Sequence, residues 1–519
     1  VTPLPLPERP AAPLKVSRRG FLQAGLAGAV AAGVQQAAAP SLLAAPPATG
    51  MFADPEYHFL NRISWSVRSV DLARVKRIGI LKYLEEQLSP RYVALGELVR
   101  VPTALRLARK TIYRYKDPYD VASKALVSGM ILRARTSAAQ LYERVVEFWS
   151  DHFNIAAEDL EPEVVDWQRT VIRRYAFTKF RTLLQATAKH VAMLYYLDNA
   201  LSEKEHPNEN YARELMELHT LGVGSGYSEM DVKEIARVFT GWTADYTDYG
   251  GFIFDPDLHD TGNKTVLNTP ITGATGPAGM QEGVQVLNLL ADDPRTHRFV
   301  LKKLCTRFIS DAFANPLPGS AQAAFLDNTL MPVWQSTDGD IKAILRAIFL
   351  SDMFNQAPLQ KLRRPLDFFV AALRATTTVF RNYDDLEYQT ELLDQVPYGW
   401  GPPNGFPDAA AAWANTSGLL ARWAVAQTVT NDALPGNGSS MLTLFQVPLR
   451  RQKTVGALVD AMAQQFYAIQ LSDETRAALI AFATDGAGSA LTPVTPDLLT
   501  DKLGPLAGLV LSLPEFQWR

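Results

Sequence analysis

The sequence predicts an all-α protein of many helices, and three observations carry that prediction. Apolar residues recur at three- and four-residue spacing through most of the chain, and strand-like alternation is scarce. The composition is that of an ordinary globular protein, with 519 residues of which 47% are hydrophobic and 20% charged. A chain this long can bury a large core or form two lobes. One helical domain is expected over 46–519, with lobes at 52–245 and 286–519. Two long irregular stretches interrupt the helices, near 243–285 and 397–412.

Residues 1–45 read as an address. In "SRRGFLQAGLAGAVAAG", from Ser17, two adjacent arginines precede a weakly apolar run of alanine and glycine, and "QQAAAPSLLAAPP" then offers small residues suited to cleavage. This is the pattern of a twin-arginine export signal, so a periplasmic or secreted location is expected. A membrane anchor needs about 20 strongly apolar residues, which neither this run nor any later segment supplies. The net charge of −3, with basic residues concentrated in the leader, leaves a mildly acidic surface and no electrostatic footprint for nucleic acid. The single cysteine, Cys305, excludes an intramolecular disulfide and a thiolate zinc cluster. Within "FVLKKLCTRFI" it reads as a small core hydrophobe.

The helices follow in order. "SVDLARVKRIGILKYLEEQL", "AAQLYERVVEFWSDHFNI" and "RTLLQATAKHVAMLYYLDNAL" carry the period first. "MDVKEIARVFTGW", "DIKAILRAIFLS" and "RRPLDFFVAALRATTTVF" repeat it. The best strand signal is "GGFIFDPD", inside the first irregular stretch. Ser228 followed by Asp231 resembles a capping box, which makes that acid structural. Glu234 and Arg237 are spaced as a surface pair.

Three polar clusters stand out. In "NENYARELMELHTLG" (208–222), a helix turning about 100° per residue sets Glu209, Arg213, Glu217, Asn210 and Glu214 within about 140° of one another. His219 falls on the opposite, apolar face. The plain reading of the stripe is a solvated run of i,i+4 pairs. The functional one is a buried polar face whose carboxylates repel, titrate or take a cation. In "LYERVVEFWSDHF", His152 lies in the middle of the apolar face, while Glu143, Glu147, Ser150 and Asp151 lie opposite. His152 is either a hydrogen-bonded core residue or an inward-facing ligand or base. The third cluster is "DPDLHDTGNK" (255–264), a loop that can aim His259, Asp260 and Lys264 at one point or simply turn on its Asp and Gly residues.

With those residues in view, the chain resembles the bacterial family known as domain of unknown function 1800. The resemblance runs from "HFLNRISW" to "WANTSGLLARW". It rests on "ERVVEFWSDHF", "MLYYLDNALSEKEHPNENYARELMELHTLGVG", "YSEMDVKEIARVFTGW", "FIFDPDLHDTGNK" and "KLRRPLDFFVAALRA". Positions on the family's motifs are Glu143, Trp149, His152, Asp198, Asn208, Glu209, Asn210, Arg213, Glu214, Glu217, His259, Asp260 and Lys264. The segment "GWGPPNGFPDAAAAW" is looser than the family pattern, which leaves a role for Trp400 open. The resemblance implies that the marked polar residues form one unit. It also implies export, and genes beside those of a second exported family related to sulfatases and alkaline phosphatases.

Three functions are compatible with these residues. The first is a metal-dependent oxidoreductase or hydrolase. His152 would reach in from one helix, Glu214 or Glu217 from a second, and His259 and Asp260 from the loop, around one iron, manganese or zinc ion. The two Glu-x-x-His motifs that di-iron bundles use are not both present. The second is a metal-free carboxylate hydrolase acting on a glycan. In either enzyme Glu209, Arg213, Glu214, Glu217, Asp260 and Lys264 are the expected catalytic set. The third is a non-catalytic exported partner or maturation factor for a neighbouring sulfatase- or phosphatase-like protein.

Overall fold

A computed structural model describes residues 54–247, 249–378, 384–431, 449–468 and 470–519. The expected export segment and its cleavage site lie outside them. Helices dominate, as the apolar period predicts, and they start where the sequence supplies caps. Asp54 accepts the Tyr57 amide at the head of α1 (Pro55–Ile63), and Asp117 does the same for Asp120 at α2 (Pro118–Thr136). In both, proline occupies the first helical position, where no amide donor is lost. The next two are α3 (Gln140–His152) and α4 (Phe180–Ala188). Asn208 caps α5 (Glu209–Glu214), which widens into a π turn at Leu215–His219. The capping box of Ser228 and Asp231 is present at α6 (Glu229–Val238).

The stretch 243–285 is more ordered than its composition suggests. It holds two small antiparallel hairpins, β1 (Trp242–Ala244) with β2 (Phe252–Phe254), and β3 (Lys264–Val266) with β4 (Thr269–Ile271). Trp242 pairs with Phe254, and Lys264 with Ile271. Strands of three residues fall below the length at which alternation can be read. Then come α7 (Met280–Asp292), α8 (Pro294–Phe308, capped by Asp293), α9 (Pro365–Ala375), α10 (Thr416–Thr430, capped by Asn415) and α11 (Val455–Tyr467, capped by Thr454). The 397–412 stretch is irregular apart from a single 3₁₀ turn at Ala410–Ala412.

Apolar side chains gather into two buried clusters. One is built mainly from the chain between Tyr57 and Leu362, the other mainly from Leu366 to Phe516. Helix α2 serves both, with Ala122, Ala125 and Leu126 in the first and Val127, Ile131 and Ala134 in the second. Cys305 is buried, and burial pushes its thiol well above the ordinary range, which removes the reactive thiolate. Among the described residues no helix is long and apolar enough to cross a membrane.

Candidate functional site

The glutamate stripe on α5 is a surface ladder. Arg213 lies 2.8 Å from Glu229, 3.3 Å from Glu209 and 3.9 Å from Glu217, and its side chain is 33% exposed. Tyr227 donates to Glu217 at 2.7 Å. The buried polar face is therefore not what the chain builds. Arg213 finds its best partner in α6, and solvent reaches the rest. Glu214 is half-buried; burial first, and then the Glu217 charge, raise its carboxyl. His219 is buried on the other side, as the spacing predicts.

The loop cluster is a clasp built on an acid that sequence reasoning did not single out. Glu282 of α7 accepts from Lys264 Nζ at 2.7 Å and from the Ala274 amide at 2.7 Å, and its Oε1 lies 3.2 Å from His259 Nε2. His259 Nδ1 donates to the Thr240 carbonyl at 2.9 Å. Arg237 grips Asp260 through Nε at 2.7 Å and Nη2 at 3.1 Å, and also reaches Glu234 at 2.9 Å. Burial opposes the Asp260 and Glu282 charges, yet their partners hold both carboxyls below the ordinary range. A β-carbon on Gly279 would come within 2.6 Å of the His259 ring. His259 Nε2 makes no hydrogen bond among the described residues, but the pairing of the charged groups and the close packing leave little space in the 255–282 segment.

The five residues expected to share an ion do not converge. His152 contacts a backbone carbonyl among aromatic rings, His259 and Asp260 belong to the clasp, Glu217 belongs to the ladder, and Glu214 is half-buried on α5 beside it. Among the described residues no three His, Cys, Asp or Glu side chains are placed to hold a metal ion. No hydrogen bond or ion pair between described residues joins Glu143 or His152 to the ladder or the clasp through side chains, and Asp198 bonds Asn208 and Asn210 separately, so the motif residues share no single side-chain network.

The denser chemistry lies on α3. Its acids Glu143, Glu147 and Asp151 recur every fourth residue and read as an outward face, but Glu143 and Glu147 are each 5% exposed. Arg173 takes Glu143 in a bidentate pair at 2.8 and 3.0 Å. Arg307 of α8 and Arg364, the residue before α9, both bond Glu147, and both reach Asp151 Oδ2, at 2.8 and 2.9 Å. Arg307 also bonds Asp408, and Arg144 bonds the buried Asp367, which lies 3.0 Å from Arg519. This charged layer joins the helices of the first apolar cluster to α9 of the second. Burial works against the Glu147 charge, but Arg307, Arg364 and Arg144 outweigh it and hold the carboxyl low. Asp151 comes out the other way. Burial, then the adjacent Glu147 charge, push its carboxyl up to about 6 in spite of the same two arginines.

Beside this layer is a cavity of about 210 Å³. Its wall includes Asp151 and His152 of α3, Lys303 and Arg307 of α8, and Gly405, Phe406 and Asp408 of the irregular 397–412 stretch. That stretch is fixed from beneath. Asn154 Nδ2 donates to the carbonyls of Trp400 and Pro402 at 2.9 and 2.8 Å, Lys361 Nζ to that of Asp408 at 2.8 Å, and Trp413 Nε1 to that of Pro407 at 2.9 Å. Gly405 has φ +71°, and a β-carbon there would overlap the Asp151 carbonyl oxygen, so only glycine lets the loop close on α3.

The groups around the cavity differ in how far they are committed. His152 Nε2 donates to the His219 carbonyl at 3.1 Å, which leaves Nδ1 as a lone-pair acceptor with no partner among the described residues. Burial keeps that imidazole neutral, well below its ordinary value. Asp151 commits Oδ2 to the two arginines, and no described residue bonds its Oδ1. Lys303 is half-buried and lies 5.7 Å from the Phe299 ring centre, with no hydrogen bond or ion pair to any described residue. Burial brings its ammonium down to about 8.

The profile of the family described as "Protein of unknown function (DUF1800)" matches residues 58–518. The chain belongs to that family. No curated protein and no solved structure matches it. Within this DUF1800 chain, sequence reasoning placed His152 correctly on the apolar side of α3 but passed over Glu147, Asp151, Lys303, Arg307, Arg364 and Asp408. One signal was available for the acids: three carboxylates spaced by four on a helix whose other face is mainly apolar. Nothing local marks Arg307 or Arg364, which lie 160 and 217 residues from Glu147.

Proposed function

We propose that this DUF1800 protein is an enzyme whose chemistry takes place in the cavity between α3, α8 and the 397–412 loop. The observation that carries this reading is the gathering of Asp151, His152, Lys303 and Asp408 around one cleft, with no hydrogen bond or ion pair to Lys303 among the described residues. Titratable groups displaced toward neutrality in a cleft mark proton-transfer sites. Asp151, with its carboxyl near 6, is the group that moves a proton, and Lys303 meets the polar group of the substrate. Arg307 and Arg364 position Asp151 through Oδ2. The expected iron, manganese or zinc site finds no converging ligand set, so no step is routed through a metal. The test is a panel of chromogenic esters, glycosides and phosphate esters, together with carbonyl compounds followed by solvent deuterium exchange. Turnover should rise with pH about a midpoint near 6 in the wild type and lose that limb in Asp151→Asn. Unchanged turnover in Asp151→Asn would overturn the reading, and a stable co-purifying sulfatase-like partner would then favour the non-catalytic role.

We also propose that residues 1–45 direct export by the twin-arginine route, on the strength of Arg18, Arg19, Phe21 and the mild apolar run that follows. A reporter fused to this segment should reach the periplasm and should stay in the cytoplasm when Arg18 and Arg19 are both replaced by Lys.

A further inference from the structure

We propose that Lys303 Nζ is a nucleophile that forms an imine with an aldehyde or ketone substrate held in the cavity beside Asp151 and His152. The inference rests on the enzyme reading above and adds the substrate class and the covalent step. Three observations carry it. First, the two deeply buried lysines among the described residues are paired, Lys264 with Glu282 and Lys361 with Asp311 and the Asp408 carbonyl, while Lys303 is half-buried. Lys303 bonds no described residue, although Asp151 and Asp408 line the same cavity. Second, its surroundings disfavour the ammonium. Burial is the main cause, with Phe148 and Phe406 in the wall; the Asp408 and Asp151 charges offset only part of it, and Arg307 repels the amine across one helical turn. Third, an acid stands ready for the dehydration, because Asp151 keeps Oδ1 free of described partners and its carboxyl near 6. Lysines are recruited to Schiff-base chemistry by this kind of desolvation.

The step balances without any redox partner. The neutral amine attacks the carbonyl carbon, a C–N bond forms, and the π electrons move to oxygen, which takes a proton from Asp151. The nitrogen gives its proton to the Asp151 carboxylate, and its lone pair then expels the hydroxyl as water while Asp151 returns a proton to the departing oxygen. The net change is carbonyl, amine and the Asp151 proton giving the protonated imine, water and the Asp151 carboxylate. The protonated imine draws electrons from the adjacent carbon, where the proton transfer assigned to Asp151 takes place.

The experiment uses the full chain at pH 7 with pyruvate and propionaldehyde as probes and cyanoborohydride as the trapping reductant, read by peptide mass mapping. Lys303 should be labelled more than about tenfold faster than any exposed lysine, as a half-buried amine of lowered basicity requires. Labelling should persist in Lys302→Met and vanish in Lys303→Met, with folding of each checked by thermal unfolding. Labelling of Lys303 no faster than that of exposed lysines overturns the proposal. If Asp151→Asn abolishes turnover while Lys303 is never trapped, the imine falls and the proton-transfer reading stands. If Lys303 is trapped but Asp151→Asn turns over normally, the imine stands and the assignment of Asp151 falls.

Discussion

Replacing Lys303 by methionine should make the protein more stable at neutral pH. The two side chains have similar length, so methionine fills the space beside Phe299 without asking the cavity to hold a charge. The gap between about 8 and the ordinary 10.5 for Lys303 corresponds to about 3 kcal/mol, at about 1.36 kcal/mol for each tenfold change in proton affinity. The side chain is half-buried rather than sealed, and solvent screening lowers that ceiling to about 1–2 kcal/mol. The pH dependence fixes the sign. Below about 8 the folded wild type carries an ammonium that its site disfavours. Between about 8 and 10.5 the folded lysine has lost its proton while the unfolded chain still binds one, so wild-type stability climbs with pH. The advantage of Lys303→Met should therefore be full at pH 7 and nearly gone at pH 10. Urea unfolding of both proteins at the two pH values reads this as a difference in midpoint at constant slope. A variant less stable than wild type at pH 7, or a gain that does not shrink at pH 10, would refute the reasoning. Either result would mean that the amine has a stabilising partner.

Other expectations follow from the same contacts. Asp367 is fully buried between Arg144 and Arg519, so Asp367→Ala leaves guanidinium groups unpaired and should cost about 3–5 kcal/mol in chemical denaturation; a loss under about 1 kcal/mol would show that water compensates. Arg213→Ala breaks only the half-exposed ladder, and should change stability by less than about 1 kcal/mol and leave turnover intact. Gly405→Ala places a β-carbon on the Asp151 carbonyl at φ +71°. It should lower the thermal midpoint by the equivalent of at least about 1 kcal/mol and abolish imine trapping at Lys303; normal trapping would separate the loop from the site.

What the sequence determined by itself was what is local. Helical period, the capping box of Ser228 and Asp231, the burial of Cys305 and the separation of His219 from the glutamates all depend on neighbours within a few turns, and all are found in the fold. The strand signal in "GGFIFDPD" is β2 (Phe252–Phe254), but its partner and the second hairpin were missed because three-residue strands carry no readable alternation. Tertiary structure alone decided which polar face became a site. Glu209, Arg213 and Glu217 look on paper much like Glu143, Glu147 and Asp151, since both sets place charges four residues apart on an amphipathic helix. The first stays wet because its counter-ion, Arg213, lies on the same helix. The second is buried because Arg307 and Arg364 arrive from distant parts of the chain and neutralise it, and only compensated charge can be taken out of water at tolerable cost. Lys303 became distinctive for the opposite reason. The fold carried it into the same region with no hydrogen bond or ion pair among the described residues, which one-dimensional spacing cannot express.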